Sequence, residues 1–226
     1  MSVNEKMTAI ADAIREKTGG TEALTLDGMA ESIQGMPTAG GDYTNEQITA
    51  LIDRTITEFS IPYGTVTVGK NAFSQCSSLQ SVDIPDSVTT IAAYAFNGCS
   101  NVNEMVIPDS VTEIGADAFY SCGFMKISKL PANLITVGYR AFGLCYGMSG
   151  EILIPPGVRE INADAFQKCN RVTAFTFTGT PDSIASSVFN ACASNLIINV
   201  PWAEGEVANA PWGATSATIN YNYTEA

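Results

Sequence analysis

Apolar positions return along this chain with a period far longer than a helical turn or a strand. Ala72-Phe73-x-x-Cys76 recurs as Ala95-Phe96-x-x-Cys99, Ala118-Phe119-x-x-Cys122, Ala141-Phe142-x-x-Cys145, Ala165-Phe166-x-x-Cys169 and Val188-Phe189-x-x-Cys192. The step is 23 residues, except for one step of 24 between Phe142 and Phe166. Five residues before each phenylalanine stands Val68, Ile91, Ile114, Val137, Ile161 or Ile184. An apolar residue and proline precede most units: Ile61-Pro62, Ile84-Pro85, Ile107-Pro108, Leu130-Pro131 and Ile154-Pro155. A fixed period in this range is the mark of a solenoid, in which each unit buries its apolar side only against its neighbours.

Within a unit the spacing predicts two short extended pieces and a turn. In Leu79-Gln-Ser-Val82-Asp-Ile84 the apolar residues turn inward. Pro85 ends that strand, because proline has no N–H for a ladder. Val88-Thr-Thr-Ile91 gives a second extended piece, and Ala-Phe-x-x-Cys a tight or helical turn that drops the ring into the core. Coils that all turn the same way stack their strands in parallel, about 4.8 Å apart, so six make a rod roughly 29 Å long. Alternation then leaves two outward rows. One holds Asp83, Val106, Lys129, Leu153, Thr176 and Asn199; the other holds Ser81, Glu104, Ile127, Glu151, Ala174 and Ile197. These positions vary in charge and size while the inward ones repeat. Val106, Ile127, Leu153 and Ile197 are apolar where water is expected, a pattern that marks either a partner or self-association. Ser128 falls where Val82 and Met105 stand, and the register of the third and fourth coils is open by one residue, which would exchange the faces.

The recurring Ile-Pro-x-x-Val-x-x-Ile-x-x-x-Ala-Phe-x-x-Cys resembles the BspA-like class of leucine-rich repeat over residues 61–200. The ends depart from it: Thr65 and Pro181 stand where Val88 and Val111 do, and Val188 replaces alanine. The resemblance implies an α/β solenoid with a parallel β-sheet on one face, and adhesion to surfaces or proteins rather than catalysis.

The flanks read differently. Met7, Ile10, Ala11 and Ile14 have helical spacing after a possible cap at Asn4, and Gly19-Gly20 stops that helix. Leu26, Met29, Ala30 and Ile33 predict a second short helix, so residues 1–36 form a helical attachment or oligomerisation segment. Residues 37–43 are a linker. Thr44-x-x-Gln47 is a capping box opening a helix through Ile48, Leu51 and Ile52. Residues 44–60 are thus expected to cap the first coil, and residues 201–226 the last, with Thr218–Tyr223 alternating like a strand. Trp202 and Trp212 suit either covers for the open core or sugar-stacking platforms.

A second resemblance covers these flanks. Residues 11–33, Ala50-Leu-Ile-Asp-Arg-Thr-Ile-Thr57 and Ala210-Pro-Trp-Gly-Ala-Thr-Ser-Ala-Thr-Ile-Asn-Tyr221 look like tail proteins of phages and prophages of gut bacteria. This implies an N-terminal module docking onto other tail proteins and a distal module that recognises the host. Met1–Met7 lacks the apolar stretch of a signal peptide, which fits parts assembled inside a cell and carried on a virion.

Composition narrows the chemistry. The net charge of -12 argues against a nucleic-acid partner, because phosphate binding needs basic patches, and disfavours anionic membrane surfaces. No run is long enough to insert in a membrane. The chain has no histidine, so Ser-His-Asp and Cys-His catalysis are excluded, and no phosphate-loop motif is present. Six cysteines at one repeat position are expected to be buried free thiols, because side chains pointing the same way bridge poorly. Glu204 and Glu206 read as solvated charges. Asp86, Asp109 and Asp182 read as turn formers, with a stacked-loop calcium site as the alternative. No cofactor or metal is expected, and no enzyme. The expected ligand face is Asp83, Glu104, Val106, Ile127, Lys129, Glu151, Leu153, Thr176 and Asn199. Its partner is a bacterial surface protein or glycan, met by a homo-oligomer on a tail fibre or baseplate. A structural virion part and a BspA-like cell-surface adhesin are the alternatives.

Overall fold

The computed structural model describes residues 54–224. The helices expected in residues 1–36, the linker and residues 44–53 lie outside this range. The described residues form a coil of short strands and turns, with no helix among them.

Strands are numbered in chain order. On the broad face, β1 (Glu58–Ser60), β3 (Ser81–Asp83) and β5 (Glu104–Met105) form one parallel sheet. Further along, β8 (Gly150–Ile154), β10 (Val172–Phe177), β12 (Ile197–Asn199) and β13 (Thr218–Asn220) form another. The second face is continuous: β2 (Thr67–Val68), β4 (Thr90–Ile91), β6 (Glu113–Ile114), β7 (Thr136–Val137), β9 (Glu160–Ile161) and β11 (Ser183–Ile184). Every pairing is parallel and joins each residue to its counterpart one coil on, as in Val82 with Met105 and Ile91 with Ile114. The stack has about seven turns rather than six. Residues 54–60, expected as the end of a cap helix, instead supply β1 as a first rung. At the other end, β13 pairs with β12 as a last rung.

The Ala-Phe-x-x-Cys segments are tight turns, not helices. They carry a hydrogen-bond ladder of their own: the Phe73 N–H donates to Ala95 O at 2.7 Å, and Phe96 N–H to Ala118 O at 2.8 Å. Stacking the turns stacks the rings. Phe73, Phe96, Phe119, Phe142 and Phe166 lie with successive centroids 5.0, 5.3, 5.4 and 5.5 Å apart and nearly parallel. Phe59 closes the start of the column edge-on, 5.1 Å from Phe73. The thiols follow the same logic. Each of Cys99, Cys122, Cys145, Cys169 and Cys192 donates its S–H to the carbonyl of the phenylalanine 26 or 27 residues earlier, at 3.0–3.2 Å. Cysteine therefore fills a small apolar space and adds a second donor to a buried carbonyl that already accepts the backbone N–H of the cysteine three residues on, as Phe73 O does from Cys76 at 3.1 Å.

The single long step is absorbed on the broad face. Met148 and Ile152 are both buried, four residues apart where other coils use three, and Gly150 takes a positive φ of 75° between them. The pairing shifts there, Val172 with Gly150 but Ala174 with Glu151. Glycine adopts that conformation without a steric penalty, so the extra residue is accommodated in a bulge and the register beyond it is kept.

Trp212, 23 residues after Phe189, continues the core beyond the sixth phenylalanine. Its carbonyl accepts the Phe189 N–H at 2.9 Å, as Val188 does for Phe166. Trp202 packs edge-on between Phe177 and Trp212. Both indoles are buried, 3% and 0% exposed, so they cover the end of the core and present no sugar platform.

Candidate functional site

On the outer side of the broad face the pairing decides the register that the sequence left open in the third and fourth coils. The backbone aligns Lys129 with Leu153, Leu153 with Thr176 and Thr176 with Asn199 in one row. Ser81 aligns with Glu104, and Glu151 with Ala174 and Ile197, in the other. The rows also extend past the expected limits, to Ser60 and Glu58 before them and to Asn220 and Thr218 after.

The third coil breaks the face in two. Ser128 sits where Val82 and Met105 point inward, and with no apolar side chain to bury, this stretch does not dock as a strand. Ser128 is exposed, and only a bridge from Lys129 to Leu153 ties this stretch to the fourth coil's strand. Ser128 O accepts from Leu153 N at 3.0 Å, while no strand pair joins β5 to residues 126–130 among the described residues. The break opens a groove of about 1140 Å³ over the first three coils. Phe59, Asp83, Met105, Val106, Lys126 and Lys129 line it. Val106 stands 80% exposed in the middle. Lys129 Nζ lies 3.6 Å from Asp109 Oδ2 across its rim, a solvated pair that orients the lysine and adds little stability.

The expected ligand residues therefore fall into two groups. Asp83, Val106 and Lys129 are exposed in the groove, and Ile127 is half-buried beside it. The side chain of Glu104 lies outside the described set. Past the break, Glu151 is exposed and Leu153 half-buried, but Thr176 and Asn199 are buried. Their outward orientation is as expected; their availability is not. The Thr176 hydroxyl bonds to the Glu151 carboxylate and also accepts from Asn199 Nδ2 at 2.8 Å. Asn199 Oδ1 accepts from Asn220 Nδ2 at 2.8 Å. In-register polar side chains on adjacent strands are close enough to satisfy one another, so this half of the face is a closed polar ladder rather than an open one.

The other chemical candidates resolve into structure. Asp109 accepts the Ala132 amide at 2.9 Å as well as facing Lys129, which makes it a turn residue that ties one coil to the next. Glu206 Oε2 accepts the Ala203 amide at 3.2 Å within its own turn. No group of three or more His, Cys, Asp or Glu that could hold a metal occurs among the described residues, nor does a helix long and apolar enough to cross a membrane.

Sequence reasoning missed a buried ion pair on the turn edge. Asp117 is 1% exposed. Arg140, one coil on at the same repeat position, pairs with it: Nη2 donates to Oδ2 at 3.2 Å, and Nε lies 2.9 Å from Oδ1 in ion-pair contact. The guanidinium lies 4.8 Å from the centre of the Tyr120 ring and 4.7 Å from that of Tyr139. Comparing the charges of neighbouring coils column by column would have found the pair.

Residues 50–149 match a family model described as the BspA type leucine rich repeat region, in six copies. No curated protein matches the chain. Among solved structures, a leucine-rich repeat protein from Bacteroides ovatus is 31% identical with a TM-score of 0.51, covering 63% of this chain and 42% of its own. A leucine-rich repeat protein from T. pallidum is 25% identical with a TM-score of 0.55, covering 73% and 72%. The pneumococcal vaccine antigen PcpA, 16% identical with a TM-score of 0.57 over 80% of this chain and 44% of its own, shares the fold. The chain thus spans less than half the length of two of these three proteins. Residues 50–149 are thus similar to the BspA type leucine rich repeat, and the described residues form a parallel β-solenoid that continues beyond that match.

Proposed function

We propose that this chain is a non-enzymatic recognition protein of a phage or prophage tail, and that the groove over its first three coils grips a receptor on the bacterial surface. The observation that carries the recognition role is the contrast between inside and outside. Inward positions repeat from coil to coil, while the groove sets Asp83, Val106 and Lys129 side by side, three different chemistries that the stack does not need. Val106, 80% exposed and rimmed by charge, is the apolar anchor around which such a contact forms. The tail assignment is supported by the likeness of residues 11–33 and 210–221 to phage tail proteins. Residues 1–36 would dock onto neighbouring tail proteins or onto further copies of this chain.

A second reading, a BspA-like adhesin displayed on a bacterial cell, is favoured by the likeness to the bacterial leucine-rich repeat proteins from Bacteroides ovatus and T. pallidum. Fractionation separates the two: the protein sediments with induced virions in the first and with cell envelopes in the second.

The groove itself is tested by substitution. Val106→Ser together with Lys129→Glu is expected to weaken binding of the purified protein to its host cells about tenfold or more. Both side chains are exposed, so the melting temperature should stay put. Cell binding equal to that of the unaltered protein would reject the groove as the contact surface.

A further inference from the structure

A different face carries a second site. The turn edge of coils two to four bears Tyr94, Tyr120, Tyr139 and Tyr146, all partly exposed, together with Phe124, 61% exposed. The fold does not require them. The positions equivalent to Tyr139 hold Ala93, Ala116 and Ala163; those equivalent to Tyr120 hold Asn97 and Asn190; those equivalent to Tyr146 hold Ser77, Ser100 and Asn170. Tyr94 and Arg140 also take positive φ values, 60° and 48°, in a column where Asn71, Asp117 and Asp164 are the residue types that tolerate it. Local strain of this kind is retained where a side chain has a use other than folding.

The edge is also built rigidly. Arg140 is clamped by the buried Asp117 and held between two tyrosine rings. The Tyr120 ring lies against Gly143, where an added Cβ would come within 2.9 Å of it. Clamping uses Nε and Nη2, so Arg140 Nη1 keeps its donors, and no hydrogen bond engages them among the described residues. Asp164 Oδ1 takes Asn190 Nδ2 at 3.3 Å and leaves Oδ2 open.

We infer that this edge is a carbohydrate-binding platform for neutral pyranoses. The exposed faces of Tyr94, Tyr139 and Tyr146 offer the flat apolar surface that the C–H side of a sugar ring covers, Tyr120 holds Arg140 in place, and Arg140 Nη1, Asp164 and the phenol groups offer hydrogen bonds to its hydroxyls. Charge selects the ligand class. Asp117 neutralises Arg140 and Asp164 adds a negative charge, so an acidic glycan gains no attraction here. A protein interface would carry an apolar, charge-depleted centre, whereas this edge has a salt bridge at its centre. The inference stands apart from the groove and from the choice between tail protein and adhesin.

The test uses the full chain in native gels containing soluble mannan, a laminarin-type glucan or chitin oligosaccharides. The protein should be retarded by at least one of them. Tyr120→Asn, Tyr139→Ala and Tyr146→Ser together install residues the repeat already carries, so the fold should stay intact, melting somewhat lower for the lost Arg140 stacking, while affinity falls about tenfold or more. Tyr139→Ala alone, a swap to the residue of three other coils, should fall in the same direction. No retardation by any of the three saccharides overturns the inference, as does full retardation of the triple variant. Loss of retardation in the groove variant instead, or a dimer that the triple variant dissolves without any saccharide binding, overturns it too.

Discussion

Raising the pH from about 8 to about 10 is expected to remove roughly 4 kcal/mol of stability through Cys76, Cys145 and Cys192 alone. Burial holds each thiol above its ordinary value of 9.0: Cys76 and Cys192 to about 11, Cys145 to about 12. Arg54 pulls Cys76 back slightly, and the bond from the preceding thiol's coil does the same for Cys145 and Cys192. Cys99, Cys122 and Cys169 are pushed further in the same direction by burial and add to the effect. The folded pKa is raised above the unfolded one. The thiols' contribution is therefore fully present below about pH 9 and is lost as pH climbs through 9 toward the folded values, because the unfolded chain ionises first. Each thiol contributes about 1.4 kcal/mol per pH unit in that window, and a domain is stable by only about 5–15 kcal/mol. Urea unfolding at a series of pH values reads this directly, with Cys145→Ala expected to flatten the slope. A midpoint that stays level from pH 8 to 10 would rule out a buried thiol ladder, and so would native thiols that react at pH 8 as fast as a free thiol.

Phe119→Ala is the single substitution expected to do most damage, at about 3–5 kcal/mol. The ring is fully buried, stacked at 5.3 Å on Phe96 and 5.4 Å on Phe142, with interplanar angles of 3° and 8°. The ladders on either side keep the coils in register, so the structure cannot close the hole without breaking pairings such as Ile91 with Ile114. The exposed Phe124 supplies the control: its change to serine should move stability by no more than about 0.5 kcal/mol. The urea midpoint and slope measure both, and a loss under about 1 kcal/mol for Phe119→Ala would mean that the rings do not stack as a column.

Much of the architecture could be read before the structure because a stack forces each coil to solve the same packing problem. The phenylalanine column, the two extended pieces per coil and the inward thiols follow from this. The outward row was legible only in part: its course through the third and fourth coils, open by one residue in the sequence, is decided by the pairing of Lys129 with Leu153 and Leu153 with Thr176. Where coils differ, one-coil reasoning ran out. Ser128 was visible as an odd inward residue, but that it would detach a strand and open a groove depends on what Lys129 and Leu153 do across the gap. Trp212 lies 23 residues after Phe189 but takes the ladder place of Val188, so the Ala-Phe phrase no longer marks it. Arg140 and Asp117 are 23 residues apart, and only the stacking of their coils brings them together.

The sequence alone determined the direction of the side chains that repeat, since a repeat that buries one side of each coil leaves a fixed set of positions pointing out, while in the third and fourth coils the strand pairing decided it. Only the tertiary structure decided which outward side chains stay available. Asn199 and Thr176 point outward like Val106, yet the first two are satisfied by neighbours on adjoining strands and the third is not. Exposure on a stacked sheet depends on the residues one coil above and below, which are near in space and some 23 positions away along the chain.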